Sequence, residues 1–358
     1  MLKIHPCLLD IPKMTEQQWD DLLTARTAFF NELTPDEPVP SPEAQRQFLS
    51  AIPEMRDQVV FWLFYDPDAN PVGWMSIAHP KPENPDYEAN KDRVYVEPVV
   101  LAAYRQQGVG TQLLPLIVNY AQKVGASWIE WDTKFESGFR FSEKIGATVA
   151  GQQRTNRLMV DQLDWELMQR WVERGQANNP DVELMRLEHL PAADLLATFC
   201  DLHAHINRLQ PRDDVEGISY TLTPDEFMKV TRRLEEQKIE RLIICTRHPD
   251  GTLSGMTDFY YHQAKPTHAS VGLTGVRQEY QGHGLGKWLK AAMMLDIHAR
   301  YPEVSYVDTN NFNNNGPMLS INDRMGFKLF EQFVFYKIRT DELAMKIKVV
   351  NQAFERFA

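Results

Sequence analysis

The sequence predicts an α+β protein made of two similar domains in tandem. The first observation is an internal repeat: Val, Tyr, Gly and Gly recur in the same order in segments 100–110 and 276–286, offset by 176 positions (100 to 276, 110 to 286). Other glycines repeat at nearly the same offset, since Gly73 matches Gly255 and Gly146 matches Gly326. The length of 358 residues also suits about two domains. A tandem duplication explains these matches together.

Each half contains two apolar strands around a cluster of turn-forming residues. A third strand follows and ends at Val100 in the first half and at Val276 in the second. The predicted strand pairs are 59–65 with 72–78 and 241–245 with 255–261.

A helix then opens in each glycine segment, because apolar residues recur at i, i+4, i+7 and i+8 on one helical face. A fourth strand is predicted at 127–131 and at 304–309. A short helix follows and ends at Gly146 or Gly326, where glycine suits a helix C-cap. A closing pair of strands completes each half. The apolar helix positions are Val109, Leu113, Leu116 and Ile117 in one copy and Leu285, Leu289, Ala292 and Met293 in the other.

The domain boundary is predicted from a helix at 164–174 that ends at Gly175 and a polar linker at 176–181. We therefore expect an N-terminal domain at 1–160, a helix and linker at 161–180, a C-terminal domain at 181–338 and a C-terminal helix at 339–358. The apolar face of that last helix consists of Leu343, Ile347, Val350 and Phe354. This face is expected to pack onto its own domain, with a dimer contact as the alternative.

Composition narrows the function. The formal net charge of −11 argues against a dedicated nucleic-acid binder, which needs a basic face. No apolar run approaches the ~18 residues of a membrane helix, and the first residues lack the apolar core of a signal peptide. Cys7, Cys200 and Cys245 are far apart and lack metal-binding spacing, so we expect reduced thiols in a cytoplasmic protein without a metal site.

The two glycine loops each stand between a strand and a helix. Glycine lets the backbone approach a ligand closely, and the following helix adds free amides and the positive end of its dipole. Together these predict an anion site, most naturally for phosphate. A tight turn without a ligand is the alternative. The spacing at 281–289 does not fit a P-loop or a dinucleotide-binding fingerprint.

Segments 105–110 and 281–286 instead both read Arg/Gln-x-x-Gly-x-Gly. This pattern resembles the acyl-CoA pyrophosphate loop of the GNAT superfamily of N-acetyltransferases. Segment 315–327 is similar to the Asn-x-x-Ala-x-x-x-Tyr-x-x-x-Gly-Phe segment of that superfamily. The resemblance covers nearly the whole chain, once per half, and is closest to two-domain members such as mycothiol synthase and its bacterial relatives. It implies twisted, mostly antiparallel sheets that are splayed at the acyl-CoA site and flanked by helices.

The resemblance also implies acetyl-CoA as the cosubstrate and assigns residues to it. In the second copy the loop amides would hold the pyrophosphate, Val276 would pair with the pantetheine, and Asn315 would approach the sulfur. The coenzyme-binding residues implied there are Val276, Gln281, Gly282, His283, Gly284, Leu285, Gly286, Lys287 and Asn315. Those implied in the first copy are Val100, Arg105, Gln106, Gln107, Gly108, Val109, Gly110 and Thr111.

Acyl transfer to an amine needs a base for the amine proton, a donor for the carbonyl oxygen and, in many enzymes, an acid for the leaving thiolate. The candidates for the base are Asp308, at the end of a predicted strand, and Asp258, in the strand after Gly255. The tyrosine that often serves as the acid in the superfamily is replaced by Asn322, and by Ser142 in the first copy.

We therefore expect an acetyl-CoA-dependent N-acetyltransferase that acts on a small primary amine by direct attack in a ternary complex, as a monomer or homodimer. A non-catalytic acyl-CoA-binding or sensing protein is the alternative, and a scaffold with degenerate loops is a third reading. The C-terminal copy is expected to be catalytic, because its loop has three glycines and Lys287, whereas the N-terminal copy has Pro115 in its helix and lacks the asparagine equivalent to Asn315.

Overall fold

The computed structural model describes residues 1–35, 37–187, 191–215 and 221–347. The chain divides into two compact units. Of the described residues, the N-terminal unit comprises 1–35, 37–151, 215 and 333–347, and the C-terminal unit comprises 152–187, 191–214 and 221–332. Both mix helices with a mostly antiparallel sheet, which confirms the predicted fold class.

The N-terminal unit carries the first run of elements. The elements of the first half are β1 (His5–Leu9), α1 (Glu16–Leu33), α2 (Pro42–Ser50), β2 (Asp57–Tyr65), β3 (Pro71–Pro80), α3 (Tyr87–Asn90), β4 (Arg93–Val100), α4 (Val109–Val124), β5 (Trp128–Thr133), α5 (Glu136–Lys144) and β6 (Thr148–Met159). With β12 (Lys328–Arg339) from the second half, the sheet has the order β1-β2-β3-β4-β5-β12, in which β4 and β5 are parallel.

The C-terminal unit repeats this arrangement. The elements of the second half are α6 (Trp165–Asn178), β7 (Glu183–Leu187), α7 (Ala193–Leu209), α8 (Pro224–Glu236), β8 (Ile239–Arg247), β9 (Leu253–His262), β10 (His268–Val276), α9 (Leu285–Arg300), β11 (Tyr306–Phe312), α10 (Gly316–Met325) and β12 (Lys328–Arg339). The sheet of this unit has the order β6-β11-β10-β9-β8-β7, in which β10 and β11 are parallel. A last helix, α11, occupies 340–347.

The closing strand of each sheet comes from the other half of the chain. In β12, residues 334–339 pair with β5 of the N-terminal unit, and in β6, residues 153–159 pair with β11 of the C-terminal unit. The predicted closing pair of strands in each half is therefore wrong: each half ends in one long strand. The compact units accordingly differ from the predicted domains, since 152–160 lies in the C-terminal unit and 333–338 in the N-terminal unit.

The apolar face predicted for the last helix does pack into a hydrophobic core. That core belongs to the N-terminal unit and not to the C-terminal domain that we expected. Leu343 is fully buried and Ile347 is partly buried in the hydrophobic core of the N-terminal unit, beside α4 residues such as Leu113. The helix follows β12 into this unit. Val350 and Phe354 lie outside the described residues.

Candidate active site

The parallel strands at the centre of the C-terminal unit separate along their length. Strands β10 and β11 pair only over His268–Val271 of β10, although both strands continue. Beyond Val271, the side of β10 that would face β11 is open, so N–H groups that point away from β9 have no strand partner there. The sheet is thus splayed as predicted, and the opening lies beside the glycine loop after Val276.

A β-bulge interrupts β10 at the start of this opening. Val271 pairs with Phe259, but Thr274 pairs with Thr257, so Gly272 and Leu273 together oppose Asp258 on β9. A bulge leaves an extra residue outside the regular ladder and turns its backbone groups toward new partners. A side chain at Gly272 would collide with Asp258, which gives a steric reason for glycine at this position.

A cavity of about 530 Å³ fills the opening. Many of its lining residues are polar, and they include parts of β9, β10, β11 and α9. The titratable side chains that line it are Arg212, Tyr260, His268, Lys290 and Asp308.

The loop before α9 is built to leave its backbone exposed. Gly282 and Gly284 adopt left-handed conformations, with φ of +86° and +83°, and open space surrounds the position of a β-carbon at each. Gly284 is the N-cap of α9 and supplies no side-chain cap, so the first amides of the helix stay available to a ligand. The side chain of Gln281 donates to the Val276 carbonyl at 3.1 Å and ties the loop to the end of β10.

The remaining coenzyme candidates of this loop lie around the helix start. Leu285 is buried, the carbonyl of His283 accepts a hydrogen bond from Asn179 at 3.1 Å, and Gly286 makes only ordinary contacts with neighbouring side chains. The ammonium of Lys287 lies 5.8 Å from the centre of the Trp171 ring. A cation at a helix N-terminus is unfavourable unless an anion neutralises it.

Asp258 is buried beside the bulge, behind the cavity wall. Its Oδ2 accepts a hydrogen bond from the Tyr260 hydroxyl at 2.8 Å, and its Oδ1 has no well-formed hydrogen bond among the described residues. Burial raises the pKa of Asp258 to about 6. Because Tyr260 lines the cavity, this pair offers a route for a proton from the cavity to a carboxylate.

Asp308, in contrast to Asp258, is paired with basic side chains. It lies inside β11, which runs on to Phe312, rather than at the end of the strand. Arg157 donates two hydrogen bonds to it at 2.8 and 2.7 Å, and His268 lies 3.3 Å away. Burial alone would raise the pKa of Asp308, but the hydrogen bonds from Arg157 and His268 outweigh it and lower the pKa. A paired carboxylate of low pKa is a poor base.

Asn322 belongs to a buried polar chain at the other side of the cavity. Its Oδ1 accepts a hydrogen bond from the Lys290 ammonium at 2.9 Å, and its Nδ2 donates to Asn311 at 2.7 Å. Lys290 is only 2% exposed, and burial lowers its pKa to about 7. Nearby, Asn315 caps α10 and donates to Gln210 at 3.1 Å.

The buried Lys290 allows a stability prediction. The pKa is about 7 in the folded state against 10.5 for an unperturbed lysine, so between those values the unfolded chain binds more protons. The free energy of unfolding should therefore rise with pH from about 7 to 10.5, by up to ~1.4 kcal/mol per pH unit. Lys290→Met should lack this rise.

At pH 7 and below we expect Lys290→Met to be more stable than the unmodified chain by about 2–4 kcal/mol. The variant no longer bears the cost of burying a charge, but it loses the hydrogen bond to Asn322. The expected value is the difference between these two free energies. Urea unfolding from pH 6 to 10 measures both quantities. A variant that is less stable at every pH, with an unchanged slope, would contradict the argument.

The N-terminal unit also has an opening between its parallel strands. Strands β4 and β5 pair only over Arg93–Tyr95 of β4, and a cavity of about 550 Å³ lies beyond. This cavity is more apolar than its counterpart and is lined by aromatic residues. These aromatic residues include Phe29, Tyr104, Trp131, Phe135, Phe141 and Phe333.

The loop of the N-terminal unit is more enclosed than that of the C-terminal unit. The side chain of Met1 occupies the space beside Gly108, and Phe141 packs closely against Gly110. Leu2 donates to the carbonyl of Gln107 at 2.9 Å, and Gln106 adopts a left-handed conformation where the second copy has Gly282. Val109 is buried at the start of α4, and Thr111 lines the cavity.

Arg105 takes the structural place of Gln281. It donates to the carbonyl of Val100 at 2.9 Å, and its charge is paired with Glu32. The guanidinium also lies 4.9 Å from the centre of the Phe135 ring. The Arg105 side chain is therefore already bonded to residues of its own unit.

Strand β4 lacks the bulge that interrupts β10. It pairs with β3 in unbroken register from Gly73 to Ala78, without a bulge. Pro98 lies where β10 has Thr274, and proline has no N–H to donate. At the position of Asn322 the unit has Ser142, which is buried and hydrogen-bonded to Trp131 at 3.0 Å.

In the C-terminal unit, Asp308 lines the cavity beside β10, whereas the loop residues 281–287 are not among the described residues that line it. Asp258 is reached through Tyr260, and Asn322 through Lys290. Lys290 and Tyr260 were not predicted from the sequence. A signal for Lys290 exists, because it lies on the same helical face as Met293, Met294 and Ile297, where a charged residue is out of pattern.

The described residues contain no cluster of three or more His, Cys, Asp or Glu side chains arranged to hold a metal ion. Among the described helices, none combines the length and apolar character that crossing a membrane requires.

Comparisons with known proteins agree with this geometry. Residues 19–138 match the Acetyltransferase (GNAT) family. The structure is similar to a tandem GNAT protein from the clavulanic acid biosynthesis pathway, solved without AcCoA, with a TM-score of 0.70, 18% identity and coverage of 94% of this chain and 99% of that one. No curated protein sequence matches the chain significantly.

A second solved structure, a GCN5-related N-acetyltransferase from Sphaerobacter thermophilus, has a TM-score of 0.63 and 16% identity, and the match covers 94% of this chain and 96% of that one. At such identities the likeness concerns the fold, whereas the family match covers 19–138, in the N-terminal half of the chain. The chain therefore has the fold of tandem GNAT proteins, and its N-terminal half is similar to the acetyltransferase (GNAT) family.

Proposed function

We propose that the C-terminal unit transfers an acetyl group from acetyl-CoA to a primary amine of a small molecule, by direct attack in a ternary complex. The observation that carries this proposal is the bulged, splayed strand β10, which lines a cavity with many polar side chains and leads into an open glycine loop. The chemistry that acetyl-CoA supplies is an activated thioester. Every residue assigned below belongs to the C-terminal unit.

The loop and the start of α9 would bind the coenzyme diphosphate. The amides of the loop after Gln281 and of the helix start, together with the helix dipole, favour an anion, and Lys287 adds a positive charge at the same point. The open side of β10, ending at Val276, would pair with the extended pantetheine as an added strand does. Asn315, the N-cap of α10, donates to Gln210, which lines the cavity.

The amine must lose a proton to attack, and we assign this task to Tyr260 and Asp258. Tyr260 lines the cavity and its hydroxyl already donates to Asp258, so we assign to it the acceptance of the amine proton as it passes its own to the carboxylate. With a pKa of about 6, Asp258 is ionised at neutral pH yet more basic than an exposed aspartate. Asp308, held by Arg157, would instead shape the cavity.

The oxygen of the thioester gains negative charge during attack and needs a donor. Backbone N–H groups at the bulge of β10 are fixed in place, and those that point away from β9 face the opening. Fixed donors stabilise a developing oxyanion without reorganisation at the moment of reaction. The unbulged β4, with Pro98, offers a poorer arrangement.

A non-catalytic role in binding acyl-CoA fits the N-terminal unit. It keeps the loop from Arg105 to Thr111 and a large cavity, but it lacks the bulge and the equivalents of Asp258 and Lys290. We propose that this unit is structural or regulatory. The free, buried thiols of Cys200 and Cys245 suit our expectation of a cytoplasmic protein.

Acetyl-CoA should raise the thermal midpoint of the protein. A ligand that binds only the folded state at about 100 times its Kd adds ~2.7 kcal/mol to the free energy of unfolding. Differential scanning fluorimetry with millimolar acetyl-CoA measures this shift. No shift would contradict both the enzymatic and the acyl-CoA-binding proposals.

An assay for free thiol over a panel of small amines then separates the two. Thiol release that depends on the amine, with a matching acetylated product by mass spectrometry, supports the enzyme. A thermal shift without thiol release for any amine favours the binding role for the whole chain.

A further inference from the structure

Lys290 is a buried cation in a place where packing alone would favour an apolar residue. It lies on α9 among core residues and is 2% exposed, yet it also lines the cavity. Its hydrogen bond goes to the neutral side chain of Asn322, and the Phe327 ring centre is 5.3 Å from its ammonium. Neither contact replaces the solvation of a full charge, and buried ionisable groups of this kind cluster at functional sites.

No carboxylate among the described residues accepts a hydrogen bond from Lys290. The other charged or titratable groups of the cavity are Arg212, Tyr260, His268 and Asp308. Tyr260 is hydrogen-bonded to Asp258, and Asp308 contacts both Arg157 and His268. The lowering of the Lys290 pKa accordingly has burial as its cause.

The position of Lys290 is informative when the two units are compared. The equivalent residue of α4 is Leu114, which is buried in an apolar core, and the equivalent of Asn322 is Ser142. The Lys290–Asn322–Asn311 chain therefore belongs to the C-terminal unit and to its cavity. It occurs in the unit that has the bulge and the open loop.

We propose that Lys290 is the general acid that protonates the departing thiolate of the coenzyme. The inference rests on the proposed acyl transfer in the C-terminal unit. When the tetrahedral intermediate collapses, the C–S bond breaks and its electron pair goes to sulfur. The thiolate takes one proton from the Lys290 ammonium, which leaves a neutral amine and a free thiol. Lys290 regains a proton from water, and the proton released by the acceptor amine balances it.

The arrangement suits this step on three counts. Asn322 is a neutral acceptor that orients Lys290 toward the cavity without competing for its proton, and Asn311 fixes Asn322 in turn. A pKa of about 7 lies below the ~8.5 of an ordinary thiol, so transfer to the thiolate is downhill. The same value keeps a large fraction of Lys290 protonated at neutral pH.

Lys290→Gln tests the role, because glutamine can still donate to Asn322 but cannot give up a proton. We expect kcat for acetyl transfer at pH 6.5 to fall by about 10²-fold, while the thermal shift with acetyl-CoA is retained. The ratio of unmodified to variant kcat should be constant below about pH 7 and fall tenfold per pH unit above it, as the ammonium is lost. Leu114→Met, at the equivalent position of α4, should leave turnover unchanged.

Full turnover in Lys290→Gln, or a loss whose ratio does not change with pH, would overturn the proposal, because a structural role is satisfied by the retained hydrogen bond. If the glutamine variant does not fold, Lys290→Met, for which higher stability is expected, gives the same two readouts. Absence of turnover in the unmodified protein for every amine would remove the proposed function and this inference with it. Amine-dependent turnover together with an unaffected Lys290 variant would remove this inference alone.

Discussion

Asp258→Asn should lower kcat/KM for acetyl transfer by about 10²–10³-fold, as expected when a general base is removed. The amide keeps the size of the side chain and can still contact the Tyr260 hydroxyl, but it cannot take the proton that Tyr260 passes on. The thermal shift with acetyl-CoA should be unchanged, because Asp258 lies behind the cavity wall and away from the glycine loop.

The direction of the pH dependence of this activity follows from the pKa of Asp258. The base must be ionised, and burial raises the pKa of Asp258 to about 6, so its contribution should be complete above that pH and disappear as pH falls through it. The ratio of unmodified to Asp258→Asn activity, measured from pH 5 to 8, reports this limb independently of the ionisation of the amine.

Glu97→Gln is the matched control for the N-terminal unit. Glu97 lines the cavity beyond β4 and accepts a hydrogen bond from Ser76, which occupies the position of Asp258 in that sheet. We expect this variant to keep most of the activity. Loss of activity in Glu97→Gln with full activity in Asp258→Asn would move the chemistry to the N-terminal unit.

Much of this fold could be predicted from the sequence because its signals are local. The glycine loops require left-handed backbone at Gly284 and a free helix start, and both needs appear directly in the residue types. Apolar periodicity likewise indicated α4 and α9, and the repeat indicated two copies. The family resemblance added the splay between the parallel strands.

The pairing of β6 and β12 could not be predicted in this way. Their alternating patterns show that they are strands, but pattern alone does not say which sheet a strand joins when both sheets have the same order. The bulge at Gly272 is also silent in the sequence, since it depends on one extra residue opposite Asp258. Only the register reveals it.

The candidate acid was missed for a related reason. Asn322 marked the position where the expected tyrosine is absent, and the replacement lies on another element, α9, one hydrogen bond away. Its distance in the chain hides it from motif comparison. Asp308 was favoured as a base by its position near a strand end, whereas its partner Arg157 comes from β6, whose place in the sheet the sequence does not show.

The central claim is that acyl transfer takes place in the C-terminal unit, and matched loop variants test it most directly. Gly286→Glu places a carboxylate where the diphosphate should lie. Gly286 has an ordinary backbone conformation and only distant neighbours, the nearest being Ile321 at 3.6 Å from an added β-carbon, so the fold should tolerate the change. Gly110→Glu makes the same change in the N-terminal loop.

A second pair of variants controls for local strain at the two loop glycines. An added β-carbon at Gly110 would lie 3.1 Å from Phe141, which must shift slightly, whereas Thr111→Glu and its counterpart Lys287→Glu need no such room. The thermal midpoint of each variant without coenzyme shows whether it is folded. Lys287→Glu also removes the cation at the start of α9, so it should weaken coenzyme binding further.

The decisive measurement is steady-state thiol release by Gly286→Glu and Gly110→Glu, with the best amine acceptor. The acetyl-CoA concentration is the one that saturates the unmodified protein. The account predicts that turnover falls below detection in folded Gly286→Glu, whereas Gly110→Glu keeps a substantial part of it. Turnover that survives in Gly286→Glu and is abolished in folded Gly110→Glu would contradict the account and place the chemistry in the N-terminal unit.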